Sequence, residues 1–228
     1  MIDLKKWHRK LPLTVELKNG HLVLIDQTYL PRRLKFRRIA TYIQAIEAIK
    51  SMRVRGAQAI GATGAGAVFL AANKYRGQDL RKFKDYLRRA ARKIIGARPT
   101  AVNLSWGVKK MLQSFAGKTV KDVQKEIARR YRELLRSEMD NNIKIGEYGS
   151  ALIKSGSRIE THCNAGSLSS IWFGTATAPI FTAHLKGKKI KVLVDETRPW
   201  LQGSRLTAWE MEQVGIDYQI NVDAASGY

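Results

Sequence analysis

Cysteine is almost absent from this sequence, since Cys163 is the only one among 228 residues. A lone cysteine excludes an internal disulfide framework and is typical of a protein that works in a reducing compartment. Histidine is scarce too: the four histidines and one cysteine show no spacing typical of metal ligands. We therefore expect neither disulfides nor a metal site.

Long apolar runs are missing as well. The longest, Ala57 to Ala72, has about 16 residues, whereas a membrane-spanning helix needs roughly 20. The residues after Met1 lead into no apolar segment of the kind found in secretory signals. These patterns predict a cytoplasmic protein without a membrane partner.

Acidic residues are few: 19 Asp and Glu stand against 41 Lys and Arg, so the formal net charge is +22. Such a field attracts phosphorylated metabolites, acidic proteins or nucleic acid. The sequence has no zinc-finger spacing, recognition helix or aromatic RNA-binding motif, which makes nucleic acid the less favoured partner. A solvated basic surface, suited to a high working temperature, is the simplest explanation of the charge.

The order of apolar patterns predicts an α/β protein with two domains. Asn19-Gly20 between two apolar runs predicts a small β-hairpin, and helical periodicity then dominates to about residue 150. We expect Thr41 and Thr100 to cap helices, and a break or kink near Gly146 and Gly149 in the helical pattern of residues 119–153. Residues 1–150 would form a mainly helical domain.

Residues 151–228 alternate between strand and helix patterns. Short apolar strands are predicted at 157–163, 189–194 and 217–222, with helical stretches at 167–184 and 204–213 between them. This order predicts a Rossmann-like parallel sheet with crossover helices, in which ligands bind at the carboxyl ends of the strands. Three strands make a thin sheet with an exposed edge, so the sequence is either a fragment or is completed by another chain.

Two loops offer arginines to an anion. Arg55-Gly56-Ala57 precedes a helix of small residues, and Arg98-Pro99-Thr100 precedes the next but one. A guanidinium beside the N–H groups of a helix start suits phosphate, although each arginine could equally be an ordinary loop residue.

Cys163 lies where a strand is predicted to run into a helix. The N–H groups there would favour both a thiolate and a bound phosphate, so the two could share one turn. The alternative is a small buried side chain without chemistry. Gln202 and Asp195 each have two possible roles, to contact a ligand or to stabilise their own loop. A pair between Cys163 and His162 is disfavoured because neighbouring strand residues face opposite ways.

Taken together, four blocks resemble methylthioribose-1-phosphate isomerase, within the family that includes ribose-1,5-bisphosphate isomerase and the regulatory subunits of translation initiation factor 2B. The resemblance covers essentially the whole chain. One departure is Gln58, where that family commonly has proline. The blocks are residues 54–61, 97–104, 161–166 and 195–209.

The resemblance implies an isomerase that converts an aldose to a ketose in methionine salvage, from 5-methylthioribose 1-phosphate to 5-methylthioribulose 1-phosphate, without a cofactor. It gives Cys163 a catalytic role in stabilising the transition state. It also implies a homodimer, and it assigns the sugar phosphate to five binding residues: Arg55, Gly56, Ala57, Arg98 and Gln202.

The same resemblance places an acid/base aspartate in a Gly-Ala-Asp-Arg block that would follow the sequence given. Neither Asp195 nor Asp223 matches that block. Because an acid/base group contributes about 10²- to 10⁴-fold to a rate, we expect the 228-residue chain alone to be a truncated, nearly inactive enzyme. A regulatory protein like initiation factor 2B and a ribose-1,5-bisphosphate isomerase stay open as alternatives.

Overall fold

The computed structural model describes Trp7, residues 9–113 and residues 117–228. They form two compact units. We call residues 15–26 and 36–138 the helical unit, and residues 1–14, 27–35 and 139–228 the sheet unit. The predicted boundary at residue 150 lies inside a helix, Val120–Leu152, and a division into two independently folding domains there stays a prediction.

The helical unit contains the hairpin that the sequence predicts. Strands β1 (Val15–Lys18) and β2 (His21–Ile25) pair antiparallel, and β3 (Phe36–Ile39) adds to the other edge of β2. Asn19 and Gly20 at the turn both have positive φ, 49° and 77°, which is why these two residue types occupy it. Part of the basic segment after Pro31 is therefore a strand.

The helices of this unit follow β3, and their bounds are α1 Tyr42–Lys50, α2 Ala57–Lys74, α3 Leu80–Ile95 and α4 Val102–Leu112. Thr41 caps α1 as predicted, in a capping box with Gln44. Thr100 does not cap α4, since Ala101 holds the cap position and makes no side-chain bond to the helix. Residues 59–72 of α2 are all buried, and most of them are Ala or Gly.

Helix α5 (Val120–Leu152) continues through Gly146 and Gly149, so the expectation of a break there is wrong, while a kink stays a prediction. Those glycines permit close packing instead. A Cβ on Gly146 would lie 2.4 Å from the Thr182 hydroxyl, and one on Gly149 would lie 2.4 Å from the Pro179 ring. Both partners belong to α6 (Ala178–Leu185).

The sheet unit confirms the predicted α/β class. Strands β4 (Arg158–Thr161), β5 (Lys191–Asp195) and β6 (Asp217–Asn221) form a parallel sheet in that order, with β5 central. The crossover from β5 to β6 contains α7 (Ala208–Val214). The crossover from β4 to β5 contains α6 alone, so the prediction of a helix from residue 167 is wrong for residues 170–177, which are irregular.

No helix in the described part of the chain is long and apolar enough to span a membrane.

Candidate functional site

Arg55 and Gly56 lie immediately before α2 in the helical unit. Gly56 holds the cap position with φ 85° and ψ 149°, a backbone conformation that side chains disfavour. Gly56 itself has no side chain with which to cap the helix. Arg55 is half-buried and Ala57, the first helical residue, is exposed. This geometry is suited to an anion, because the first N–H groups of a helix carry partial positive charge.

Arg98 lies in the loop before α4, in the same unit, and is half-buried. Its backbone carbonyl accepts a hydrogen bond from the Ala101 amide at 3.0 Å, which closes the loop just ahead of α4. The loop therefore presents Arg98 at the beginning of a helix, as Arg55 is presented at the beginning of α2.

The beginnings of α2 and α4 lie close together because glycines line their contact. A Cβ on Gly107 would meet the Gly61 carbonyl oxygen at 2.3 Å, and a Cβ on Gly61 would meet the Asn103 carbonyl oxygen at 2.9 Å. Gly61 is four residues into α2, a rise of about 6 Å. The structure thus brings both arginine-bearing loops to one side of this helix pair.

Cys163 lies at the carboxyl end of β4 in the sheet unit, as predicted, and is half-buried. Its φ is 62°, in the left-handed region that is strained for a residue with a side chain. Two threonine hydroxyls hold this conformation. The Cys163 amide donates to Thr197 Oγ1 at 2.9 Å, and Thr207 Oγ1 donates to the Cys163 carbonyl at 2.6 Å.

Two N–H groups of the turn after Cys163 are occupied by another side chain and are not open to a phosphate; phosphate binding at this turn stays a prediction. The Ser167 amide donates to Glu210 Oε2 at 2.8 Å, and the Leu168 amide donates to Glu210 Oε1 at 3.0 Å. Residues Ser167–Ser169 form only a short 3₁₀ turn. A carboxylate of the protein itself therefore occupies the position that an anion would take.

Glu210 is fully buried, and burial raises its pKa to about 7. Hydrogen bonds from Asn164, Leu168 and Ser167 oppose this shift. Ionisation of this side chain therefore falls near neutral pH, which is unusual for a carboxyl group.

Asp195 pairs with His162 rather than lying open to a ligand. His162 Nδ1 is 2.9 Å from Asp195 Oδ2, and the Asp195 side chain is buried. Burial raises the pKa of Asp195, but hydrogen bonds, chiefly with His162, lower it by more, so the net shift is downward. A lowered pKa makes this carboxylate a weak base.

Asp223 has a structural role at the end of β6. Its carboxylate accepts hydrogen bonds from the Thr197 amide at 2.7 Å and the Arg198 amide at 2.6 Å. Thr197 in turn fixes Cys163, so Asp223 supports the cysteine indirectly.

Gln202 is half-buried and directly precedes a π-helical turn, Gly203–Thr207, which leads into α7. Such turns occur frequently at functional sites. Gly203 is required here, since a Cβ would lie 1.6 Å from the Asp195 carbonyl oxygen.

The structure thus gathers Arg55, Gly56, Ala57 and Arg98 in the helical unit, and Cys163 and Gln202 in the sheet unit. Sequence reasoning missed Glu210, Thr197 and Thr207. A charged residue within the apolar run Ala208–Met211 was the available sign of a buried carboxylate. Among the described residues, no group of three or more His, Cys, Asp or Glu side chains is arranged to hold a metal.

The sequence of this chain is similar to those of known proteins. The model of the Initiation factor 2 subunit family matches residues 53–228. A methylthioribose-1-phosphate isomerase from Desulforamulus reducens is 39% identical over 214 residues, which are 92% of this chain and 62% of that protein.

Two solved structures share the fold. A 5-methylthioribose 1-phosphate isomerase from Pyrococcus horikoshii is 33% identical with a TM-score of 0.89, covering 95% of this chain and 62% of that one. The translation initiation factor eIF-2B, subunit delta, from A. fulgidus is 38% identical with a TM-score of 0.87, covering 93% of this chain and 63% of that one. The chain therefore spans less than two thirds of the length of these relatives.

Proposed function

Since the chain belongs to the Initiation factor 2 subunit family, we propose that its protein is a sugar-phosphate isomerase of that family. The proposed reaction converts 5-methylthioribose 1-phosphate to 5-methylthioribulose 1-phosphate, a step of methionine salvage. Substrate and product are isomers: the bond between C1 and the ring oxygen breaks, the hydrogen on C2 moves to C1, and the proton of the C2 hydroxyl passes to the former ring oxygen as C2 becomes a carbonyl. The reaction therefore needs no external oxidant or reductant.

One observation carries the proposal: two residues of the isomerase-like motifs have a positive φ, which residues with side chains rarely adopt. Cys163 has φ 62°, and Gly56 has φ 85°. A strained conformation is maintained only where surrounding contacts impose it, and such residues concentrate at functional sites. Two threonine hydroxyls impose it at Cys163.

We assign the residues their roles on that basis. Cys163 stabilises charge that develops on the sugar during hydrogen transfer, as a weak S–H donor can. Arg55 and Arg98 neutralise the phosphate, and the backbone of Gly56 and Ala57 at the start of α2 adds N–H donors. Gln202 hydrogen-bonds the sugar, because its amide both donates and accepts.

The test is phosphorus NMR on 5-methylthioribose 1-phosphate incubated with the product of the complete reading frame, including any coding sequence downstream of residue 228. We expect the substrate resonance to be replaced by that of 5-methylthioribulose 1-phosphate. Ribose 1,5-bisphosphate is assayed in parallel. If that compound is converted faster, it becomes the substrate in place of 5-methylthioribose 1-phosphate. Absence of both conversion and binding would overturn the isomerase proposal.

A second candidate is a regulatory protein that binds a phosphorylated ligand without transforming it. The 38% identity to an eIF-2B delta subunit favours it. Calorimetry separates the two candidates, since tight binding of 5-methylthioribose 1-phosphate without conversion supports the regulatory function.

The assembly and location of the protein belong to the same proposal. We expect a homodimer, which light scattering after size-exclusion chromatography tests by mass. The single cysteine favours the reducing cytoplasm. The expected partner is a small sugar phosphate; nucleic acid, if bound, would show strongly salt-dependent affinity.

A further inference from the structure

Glu210 is a buried carboxylate without an ionic partner. Its side chain is fully buried on α7, and among the described residues no Lys, Arg or His lies within ion-pair distance of it. Burying an unpaired charge is costly, and such groups persist where a hydrogen-bond network needs them. The proposed function gives Glu210 no role, so its presence requires an explanation.

Each group that contacts the carboxylate is a hydrogen-bond donor. Oε1 accepts from Asn164 Nδ2 at 2.9 Å and from the Leu168 amide at 3.0 Å, and Oε2 accepts from the Ser167 amide at 2.8 Å. A neutral carboxylic acid would carry a proton toward one of these donors and lose that contact. These donors therefore favour the ionised form, although burial opposes it.

The turn also packs closely against the carboxylate. A Cβ on Gly166 would lie 2.0 Å from Glu210 Oε2. Glycine at this position therefore allows the backbone to close around the carboxylate.

A short chain of contacts connects Glu210 to the cysteine. Asn164 Nδ2 donates both to Glu210 and, at 3.1 Å, to Thr207 Oγ1. The same Thr207 hydroxyl donates to the Cys163 carbonyl. Thr207 and Glu210 are three residues apart and therefore lie on one face of the helical segment. From that face they bind the turn before and after Asn164.

We propose that Glu210 is a positioning residue for Cys163: its ionised carboxylate fixes the turn from Asn164 to Leu168, and the turn holds the cysteine in its left-handed conformation. That Cys163 is catalytic rests on the proposed function, whereas the claim that Glu210 holds the turn does not. Protonation of Glu210 weakens its contact with one of these donors, so Cys163 is held most firmly where Glu210 is ionised. Burial sets that range near neutral pH.

Few other titratable groups lie near enough to Glu210 to contribute to the same pH dependence. The direct neighbours of the carboxylate are an amide side chain and two backbone amides. On α7 and the elements beside it, Glu212 bonds to the Tyr218 hydroxyl, and Lys10 donates to the Val214 carbonyl. His162 adjoins Cys163 and pairs with Asp195, so its substitution serves as a control.

The first test follows Cys163, the only cysteine among these 228 residues. Iodoacetamide alkylation is followed by mass spectrometry from pH 5.5 to 8.5 in wild type and in Glu210→Gln, with Glu212→Gln as matched control. Thiol reactivity follows exposure, so Glu210→Gln should react several-fold faster at pH 8 while the control matches wild type. Equal rates in all three proteins overturn the proposal.

Wild type alone provides a second readout if Glu210→Gln fails to fold. Its alkylation rate should depart from simple thiolate dependence, with an inflection near pH 7 that persists in His162→Asn. Loss of the inflection in His162→Asn, or its absence in wild type, contradicts the role of Glu210.

The kinetic test separates this proposal from the proposed function. In isomerase assays at pH 8, Glu210→Gln should lower kcat by about 100-fold with little change in KM, because a small misplacement of a reacting group is costly. A shifted alkylation profile in a protein without isomerase activity would support positioning and reject the proposed function. Unchanged kcat in a proven isomerase would reject positioning.

Discussion

The hydroxyl of Thr207 donates a 2.6 Å hydrogen bond to the carbonyl oxygen of Cys163, 44 residues earlier in the chain. Thr207 is buried, and its hydroxyl oxygen also accepts a hydrogen bond from Asn164 Nδ2. One threonine therefore completes the bonding of two residues in the turn at the end of β4.

Replacing Thr207 by Val removes the hydroxyl while keeping the shape. We expect the free energy of unfolding to fall by about 1–3 kcal/mol, the cost of leaving buried polar groups without partners. Urea denaturation followed by circular dichroism measures the change. Thr207→Ser retains the hydroxyl and should lose less; equal losses in both variants would show that packing of the methyl group dominates.

Glu210 should make stability depend on pH in a defined window. Burial raises its pKa from 4.5 to about 7, so between these values the folded chain binds more protons than the unfolded chain. Stability from this group should therefore fall as pH rises through the window, by about 3 kcal/mol in total. Asp195, whose pKa is lowered, acts with the opposite sign and below about pH 4.

The measurement compares wild type with Glu210→Gln from pH 4.5 to 7.5 by urea denaturation. The difference between their unfolding free energies should change across the window in the direction stated, and be flat above it. A difference that is constant throughout would mean that Glu210 does not titrate there.

The close contact of α2 and α4 should tolerate no side chain at Gly107, where a Cβ would meet the Gly61 carbonyl oxygen at 2.3 Å. We expect Gly107→Ala to destabilise the protein by about 1–3 kcal/mol, because overpacking outweighs the better helix propensity of alanine. Thermal unfolding measures this. Lys109→Ala, an exposed position on the same helix, should leave the melting temperature nearly unchanged.

Arg98 should contribute to the binding of phosphate esters. Loss of a charge-assisted hydrogen bond costs about 1.5–3 kcal/mol, so Arg98→Ala should weaken binding of 5-methylthioribose 1-phosphate by roughly 10- to 100-fold. Arg98→Lys should recover only part of this, because lysine lacks the planar fork of arginine. Calorimetry gives the affinities, with Arg92→Ala on α3 as the control; an unchanged affinity in Arg98→Ala would remove this residue from the site.

Much of the fold could be predicted because its determinants are local. Asn19 and Gly20 define the hairpin through their own backbone preferences, and Thr41 caps α1 through a residue three positions away. The alternation of short strands and helices after residue 151 similarly indicates a parallel sheet, which the structure contains.

The motifs of the candidate site were visible in the sequence, but the hydrogen bonds that connect them were not. The turn after Cys163 has the local pattern of an anion site, yet Glu210, 43 residues beyond Ser167, occupies it. Only the fold determines which distant side chain fills such a position. For the same reason the break predicted at Gly146 was wrong, since its partner Thr182 lies in another helix.

The most direct test of the central claim compares two forms of the product of the complete reading frame, wild type and Cys163→Ala. Their rates of conversion of 5-methylthioribose 1-phosphate are measured by phosphorus NMR, and their binding by calorimetry. We predict that the variant binds the substrate but converts it about 100- to 1,000-fold more slowly, the loss expected for one group that stabilises a transition state. Conversion at the wild-type rate by Cys163→Ala would contradict the account.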